Sequence, residues 1–163
     1  MVFQTHSKYT KLIKKLEEFN NYIRYRKVAI IGLGVSNIPL IDYMYEKKAK
    51  VTVFDEREID SIPKEILDKI KKYDFKFYFG KNSLENLNDF DIIFRSPSCL
   101  PTRKELVKEE EKGTIVTTEI EMLMKMCPCK IIGVTGSEGK TTTTSLIYAI
   151  LKHAGYNTYL GGN

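Results

Sequence analysis

Two glycine-rich segments carry residue types that bind phosphate groups, and the first spans residues 32–37 (GLGVSN). In dinucleotide-binding proteins, glycines at this spacing let backbone N–H groups approach a diphosphate at the start of a helix. An acidic residue about 20 positions further on, here Asp55, can bind the ribose hydroxyls. Asn37 stands where that fingerprint has its third glycine. Two interpretations therefore stay open, an NAD site and a tight strand–helix turn without a ligand.

The second segment spans residues 133–141 (GVTGSEGKT) and places Gly-Lys-Thr at the predicted start of a helix. In such loops backbone amides surround phosphates, a lysine reaches the outer phosphates, and a hydroxyl binds Mg²⁺. Lys140 and Thr141 stand at those two positions. The strict Gly-x-x-x-x-Gly-Lys-Thr pattern has its first glycine where Val134 stands. We therefore expect Gly136 to provide the conformational freedom that the turn needs. Packing alone rarely produces this helix start, and we interpret the segment as a triphosphate loop.

Hydrophobic periodicity predicts the elements that position both loops. Short apolar runs predict strands at 27–31, 50–54, 75–79, 91–94 and 114–116, separated by helical patterns at 36–47, 63–72 and 101–112. A helix at 118–126, a strand at 130–134, a helix at 140–154 and a strand at 158–160 follow. Strands that alternate with helices are typical of a parallel sheet covered on both faces. The expected fold class is α/β, a Rossmann-like parallel sheet followed by the first strand, loop and helix of a P-loop ATPase domain.

Composition narrows the functional classes. The chain has 163 residues and a net charge of +5, and seven of its 26 basic side chains lie within residues 1–27 against two acidic ones. Because the rest of the chain is neutral, the charge does not indicate nucleic-acid binding. No apolar run reaches the roughly 18–20 residues that cross a bilayer, and we expect no stable membrane insertion and no signal peptide. Three cysteines are too few for a disulfide framework and predict a reducing cytoplasm.

Residues 8–23 have the apolar spacing of an amphipathic helix whose other face carries lysines. Three roles stay open for this helix: packing on the sheet domain, self-association between chains, and binding to an anionic membrane surface.

Two weaker patterns receive structural interpretations. Residues 109–112 (EEEK) are interpreted as the solvated end of a helix, and Cys127-Pro128-Cys129 as free thiols in a link between domains.

Six segments in a fixed order, IIGLGVSN, VFDER, RSPS, TEIEML, GVTGSEGKTTTT and LGGN, resemble the Mur ligase family over residues 26–163. The Gly-Lys-Thr-Thr loop alone would also suit folylpolyglutamate synthetases. The ordered set indicates the member of the family that adds D-glutamate to UDP-N-acetylmuramoyl-L-alanine. The resemblance therefore implies an ATP-dependent acid–D-amino-acid ligase of peptidoglycan precursor synthesis, in which the substrate carboxylate is activated as an acyl phosphate.

The resemblance also assigns residues to ligands. The UDP-linked substrate would contact Gly34, Val35, Ser36, Asp55, Glu56, Arg57, Ser96, Ser98 and Asn163. ATP would contact Gly136, Ser137, Glu138, Gly139, Lys140, Thr141 and Thr142. Lys140 and Thr141 would be the catalytic residues, with Thr141 as the Mg²⁺ ligand.

The sequence departs from the family at several positions. The family usually has glycine where Asn37 and Ser98 stand, and Thr-Asn where Ser137-Glu138 stand. We expect the carboxylate of Glu138 to repel a triphosphate.

Members of the family are considerably longer, so the expectation is an N-terminal portion that is inactive alone but binds the UDP-sugar. Its expected domains are a basic helix at 1–25, a UDP-binding domain at 26–117, a linker helix at 118–129 and the truncated start of an ATP-binding domain at 130–163. Two alternatives remain: an NAD-binding Rossmann protein with a regulatory or redox role, and a non-catalytic interaction module derived from a ligase.

Overall fold

The computed structural model describes residues 14–34 and 37–161. The chain divides into two compact units, one that extends to Pro128 and a second that begins at Cys129. Within the described residues, no helix is long and apolar enough to span a bilayer.

The first unit alternates strands and helices. Its elements are α1 (residues 14–23), β1 (Lys27–Ile31), α2 (Asn37–Glu46), β2 (Lys50–Asp55), α3 (Lys64–Ile70), β3 (Lys76–Phe79), β4 (Ile92–Arg95), α4 (Lys104–Glu111), β5 (Ile115–Thr117) and α5 (Glu119–Met126). Short 3-10 turns occupy Ile59–Ser61 and Ser83–Asn86. The five strands form one sheet in the order β3-β2-β1-β4-β5, and every pair is parallel. The predicted Rossmann-like α/β fold is confirmed.

Both faces of the sheet are buried, as the apolar strand sequences require. On one face, Val28 and Ile30 of β1 pack with Ile41 and Met44 of α2. Ala29 and Ile31 point to the other face, where they pack with a group that includes Leu106 of α4. The strand order places β1 at the centre of this sheet, with its carboxyl end between those of β2 and β4.

The described part of the N-terminal helix packs on this unit. Ile23 is fully buried in the same cluster as α2, and Phe19 is partly buried against it. The Lys15 Nζ atom donates a 3.0 Å hydrogen bond to the carbonyl oxygen of Lys125, near the C-terminal end of α5. Packing on the sheet domain is therefore the interpretation that residues 14–23 support. The rest of the predicted helix lies outside the described residues.

The interpretation of residues 109–112 as a solvated helix end is wrong for Glu109, which is 1% exposed. Its carboxylate accepts hydrogen bonds from the backbone N–H of Asp89, at 3.1 Å, and from Lys112 Nζ, at 2.6 Å. A buried carboxylate needs such donors, and a charged run in the sequence does not show that one member turns inward.

The second unit contains one regular element, α6 (Lys140–His153), within residues 129–161. The predicted strands at 130–134 and 158–160 are wrong for the described residues, because the chain forms no strand in either segment. A strand needs a hydrogen-bonded neighbour, and none pairs with either segment in this part of the chain. Of the predicted strand, loop and helix of an ATPase domain, the described residues therefore contain the glycine-rich segment and α6 without the strand.

Candidate functional site

Three loops meet at the carboxyl edge of the sheet, where β2, β1 and β4 lie side by side. Residues 32–34 follow β1, residues 55–57 close β2, and residues 96–98 follow β4. In open α/β sheets this edge is where ligands bind. The topology therefore brings together the GLG, DER and SPS segments, which lie far apart in the sequence.

The loop after β1 is tied to both neighbouring strands. The backbone N–H of Gly32 donates to the carbonyl of Phe54 at 2.7 Å, and that of Ser96 donates to Ile31 at 3.0 Å. Gly32 has a φ of +89°, and a Cβ atom there would lie 2.9 Å from the hydroxyl of Ser96. A side chain at this position would be strained and would collide with the loop after β4, so glycine is required.

Asn37 explains the absent third glycine. It begins α2, is 3% exposed, and donates from its side-chain amide to the carbonyls of Ile31, at 2.9 Å, and Gly32, at 2.7 Å. These bonds fasten the helix start to the end of β1 and satisfy carbonyls at a buried turn. The sequence signal was present, because an amide side chain at a helix start commonly bonds the preceding backbone.

Asp55 is held by protein donors on both carboxylate oxygens. Oδ2 accepts from the Leu33 N–H at 2.8 Å and from Arg57 Nη2 at 2.7 Å. Oδ1 accepts from the Arg57 N–H at 3.0 Å and from Arg57 Nε at 2.9 Å. A carboxylate has about four acceptor sites, and these four donors fill them. The side chain therefore orients the glycine loop and Arg57.

The pKa values of Asp55 and Arg57 both shift in the direction that favours their charged forms. Burial raises the pKa of Asp55, but the hydrogen bonds from the Arg57 side chain and from two backbone N–H groups lower it more, and the pKa lies below its ordinary value. The side-chain hydrogen bonds to Asp55 raise the pKa of Arg57. The Arg57 side chain is 45% exposed and its Nη2 also donates to the Leu33 carbonyl at 3.2 Å. Arg57 is thus a charged guanidinium held at the edge of the glycine loop.

Glu56 and the two serines complete this edge. The Glu56 Oε1 atom lies 2.7 Å from Arg103 Nη2, and the hydroxyls of Ser96 and Ser98 are 3.0 Å apart. Arg103 was not among the predicted site residues, because its position before α4 has no motif. Gly34 is exposed at the same edge. Val35, Ser36 and Asn163 lie outside the described residues.

The second glycine loop has the geometry of a helix start that could face an anion. Gly139 has a φ of +72°, a left-handed conformation that suits glycine, and immediately precedes α6. Lys140 Nζ donates to the carbonyls of Gly136, at 2.6 Å, and Ser137, at 3.1 Å. Glu138, Thr141 and Thr142 are exposed.

Known proteins resemble the chain along nearly its whole length. The model of the "Mur ligase MurD-like, N-terminal domain" matches residues 26–118, and that of the "Mur ligase middle domain" matches residues 134–163. The UDP-N-acetylmuramoylalanine–D-glutamate ligase of Clostridium novyi (strain NT) is 44% identical over 150 residues, covering 92% of this chain and 32% of that protein. The ligase of the same name from Clostridium botulinum (strain Hall) is 43% identical over 146 residues, covering 90% and 32%.

Among solved structures, UDP-N-acetylmuramate–alanine ligase of Thermotoga maritima is 22% identical with a TM-score of 0.48, covering 84% of this chain and 32% of that chain. The chain thus spans about a third of the length of the curated relatives it matches. Since the first family model matches more than half of its residues, the chain belongs to the Mur ligase family.

Proposed function

We propose that this chain forms the part of an ATP-dependent ligase that binds UDP-N-acetylmuramoyl-L-alanine, together with the beginning of its ATP-binding domain. The complete enzyme would attach D-glutamate to that substrate during peptidoglycan precursor synthesis in the cytoplasm. The names of the Clostridium relatives support this assignment.

The observation that carries the proposal is the meeting of Gly34, Glu56, Arg57, Ser96 and Ser98 at one edge of three adjacent strands. These positions come from separate segments of the chain, and the resemblance assigns all of them to the UDP-linked substrate.

Each group at this edge has a role that suits a nucleoside diphosphate. The start of α2 would face the diphosphate, with Val35 and Ser36 assigned there by the resemblance. Arg57 presents an exposed guanidinium that can contact the base or a phosphate oxygen. We propose that Asp55 acts indirectly, by holding Arg57 and the Leu33 amide in place.

The second glycine loop fits a triphosphate with Mg²⁺. The first turn of α6 has no side-chain cap, so its N–H groups can face phosphate oxygens. Lys140 Nζ could give up its hydrogen bonds to the two loop carbonyls and contact the outer phosphates instead. The exposed hydroxyl of Thr141 is a hard oxygen ligand of the kind that Mg²⁺ binds. Bound Mg²⁺ would neutralise phosphate charge.

Thermal unfolding in the presence of nucleotides tests the proposal. UDP and UDP-N-acetylmuramoyl-L-alanine should raise the Tm of the chain, because a ligand at about 100 times its Kd stabilises the folded state by about 2.7 kcal/mol. R57M should lose most of this Tm shift. The matched control K72M, which removes a surface ion pair with Asp42, should keep it.

Two outcomes would contradict the proposal. Stabilisation by NAD without stabilisation by uridine nucleotides would favour a dinucleotide-binding protein. No response to any nucleotide would favour a non-catalytic interaction module.

A further inference from the structure

The ion pair between Glu56 and Arg103 joins two loops that the sheet keeps apart. Glu56 follows β2, and Arg103 precedes α4 in the connection that leaves β4. β2 and β4 flank β1 on opposite sides, so their ends are separated by two strand spacings, about 10 Å. The pair therefore reaches across the end of β1, where the glycine loop lies.

The contacts of Arg103 are bidentate and directional. Its Nη2 atom is 2.7 Å from Glu56 Oε1 and its Nη1 atom 3.4 Å from Glu56 Oε2. Its Nε atom lies 3.4 Å from Glu105 Oε2. We call Glu56, Arg103 and Glu105 the strap. Because two carboxylates neutralise this guanidinium, Arg103 is better suited to hold protein groups than to bind a phosphate.

The loop that carries Arg57 is held from two sides, and the strap supplies one of the two contacts. On the β3 side, the N–H of Gly80 donates to the Arg57 carbonyl at 2.9 Å. On the β4 side, Arg103 holds the adjacent Glu56. A protein side chain whose loop is held from both sides loses less conformational freedom when it binds a ligand.

We propose that Arg103 is a positioning residue for the UDP site. Its ion pair with Glu56 spans the glycine loop and holds in place the loop that carries Arg57. This inference rests on the proposed function, since it concerns how the same site is kept ready for a uridine nucleotide.

Isothermal titration of the 163-residue chain with UDP tests the strap. R103M and E56Q should each weaken UDP binding about three- to fivefold, the effect of losing a half-exposed ion pair. The double variant E56Q/R103M should bind like either single variant, because both changes remove the same contact. R103K should recover part of the affinity. Melting temperatures should change little.

R26M is the matched control, since Arg26 pairs with Asp91 at 2.9 Å at the opposite end of the sheet. It should bind UDP like the parent chain. Two results would contradict the proposed role of Arg103 while leaving the UDP site intact. One is UDP binding by R103M that equals that of the parent chain, and the other is that the losses of affinity in R103M and E56Q add in the double variant. No UDP binding by the parent chain would overturn the proposed function, and the strap with it.

Discussion

Asp55 joins three groups through one carboxylate: the amide of Leu33, the backbone N–H of Arg57 and the Arg57 guanidinium. Because Asp55 is 4% exposed, each of these hydrogen bonds forms where water competes little. A single buried charge thus sets the shape of the glycine loop and the direction of the cation beside it.

Replacement of this charge gives a pH-dependent prediction. D55N should lower the free energy of unfolding at neutral pH by about 2 kcal/mol, the scale of hydrogen bonds to a buried charged group. The folded pKa lies below the ordinary 3.8, so the contribution is complete above that value and is lost as the pH falls through the lower folded pKa. The stability difference between parent and variant should therefore shrink in acid.

Urea unfolding of both proteins from neutral pH down to about pH 2 measures this difference. D68N is the control, since Asp68 forms an exposed pair with Lys71 and should cost little. A stability difference that stays constant over the whole range would show that the charge of Asp55 is not its source.

At the scale of elements, the end of α4 is fixed by a carboxylate that faces inward. Glu109 accepts from the Asp89 N–H in the turn before β4, and the Thr114 N–H donates to the Glu109 carbonyl at 3.1 Å. These bonds connect α4 with the turn before β4 and with the entry to β5. The helix is therefore held at the end of the sheet opposite the candidate site.

A pair of neighbouring substitutions tests this attachment. E109Q should destabilise the chain by about 1–3 kcal/mol. The amide keeps only one of the two acceptor oxygens, so either the Asp89 N–H or Lys112 Nζ then faces an NH2 group instead of an acceptor. E110Q, on the exposed side of the same helix, should change stability by less than about 0.5 kcal/mol. Urea unfolding measures both, and equal effects of the two variants would contradict an inward role for Glu109.

At the scale of the whole molecule, the two units differ in what they bury. The first has a core on both faces of its sheet. In the second, none of the described residues is buried, and Leu146 and Ile150 of α6 are 60% and 58% exposed. Burial of apolar surface is the main source of folding free energy, so the units should differ in stability.

Amide hydrogen exchange measures that difference directly. Amides of β1 and α2 should exchange at least about 100-fold more slowly than those of α6, because local opening is easier where few apolar contacts are lost. α2 is the matched helix, with four buried residues against none in α6. Comparable protection of the two helices would contradict the prediction.

Much of the fold followed from local patterns. The apolar runs predicted all five strands of the first unit, because a parallel strand buried on both faces is apolar throughout. The segments at 130–134 and 158–160 also contain apolar residues but have no partner strand among the described residues. The pattern therefore identified residues that suit a strand without showing that a sheet forms around them.

The candidate site was predicted in part. Gly34, Arg57, Ser96 and Ser98 were assigned by motif, and the structure brings these four residues to one edge of the sheet. Arg103 was missed, because its role depends on a carboxylate 47 positions away in the sequence. The inward turn of Glu109 was missed for the same reason, since its partner lies in another loop.

The sequence alone determined the alternation of strands and helices, the two glycine loops and the family, because these depend on residue type and local spacing. Only the tertiary structure decided how several side chains are used: Asp55 holds the glycine loop and Arg57, Glu109 is buried against the turn before β4, and Arg103 pairs with Glu56 across the end of β1. The physical reason is that hydrogen bonds and ion pairs depend on distances between atoms, and folding sets those distances for residues that the sequence separates.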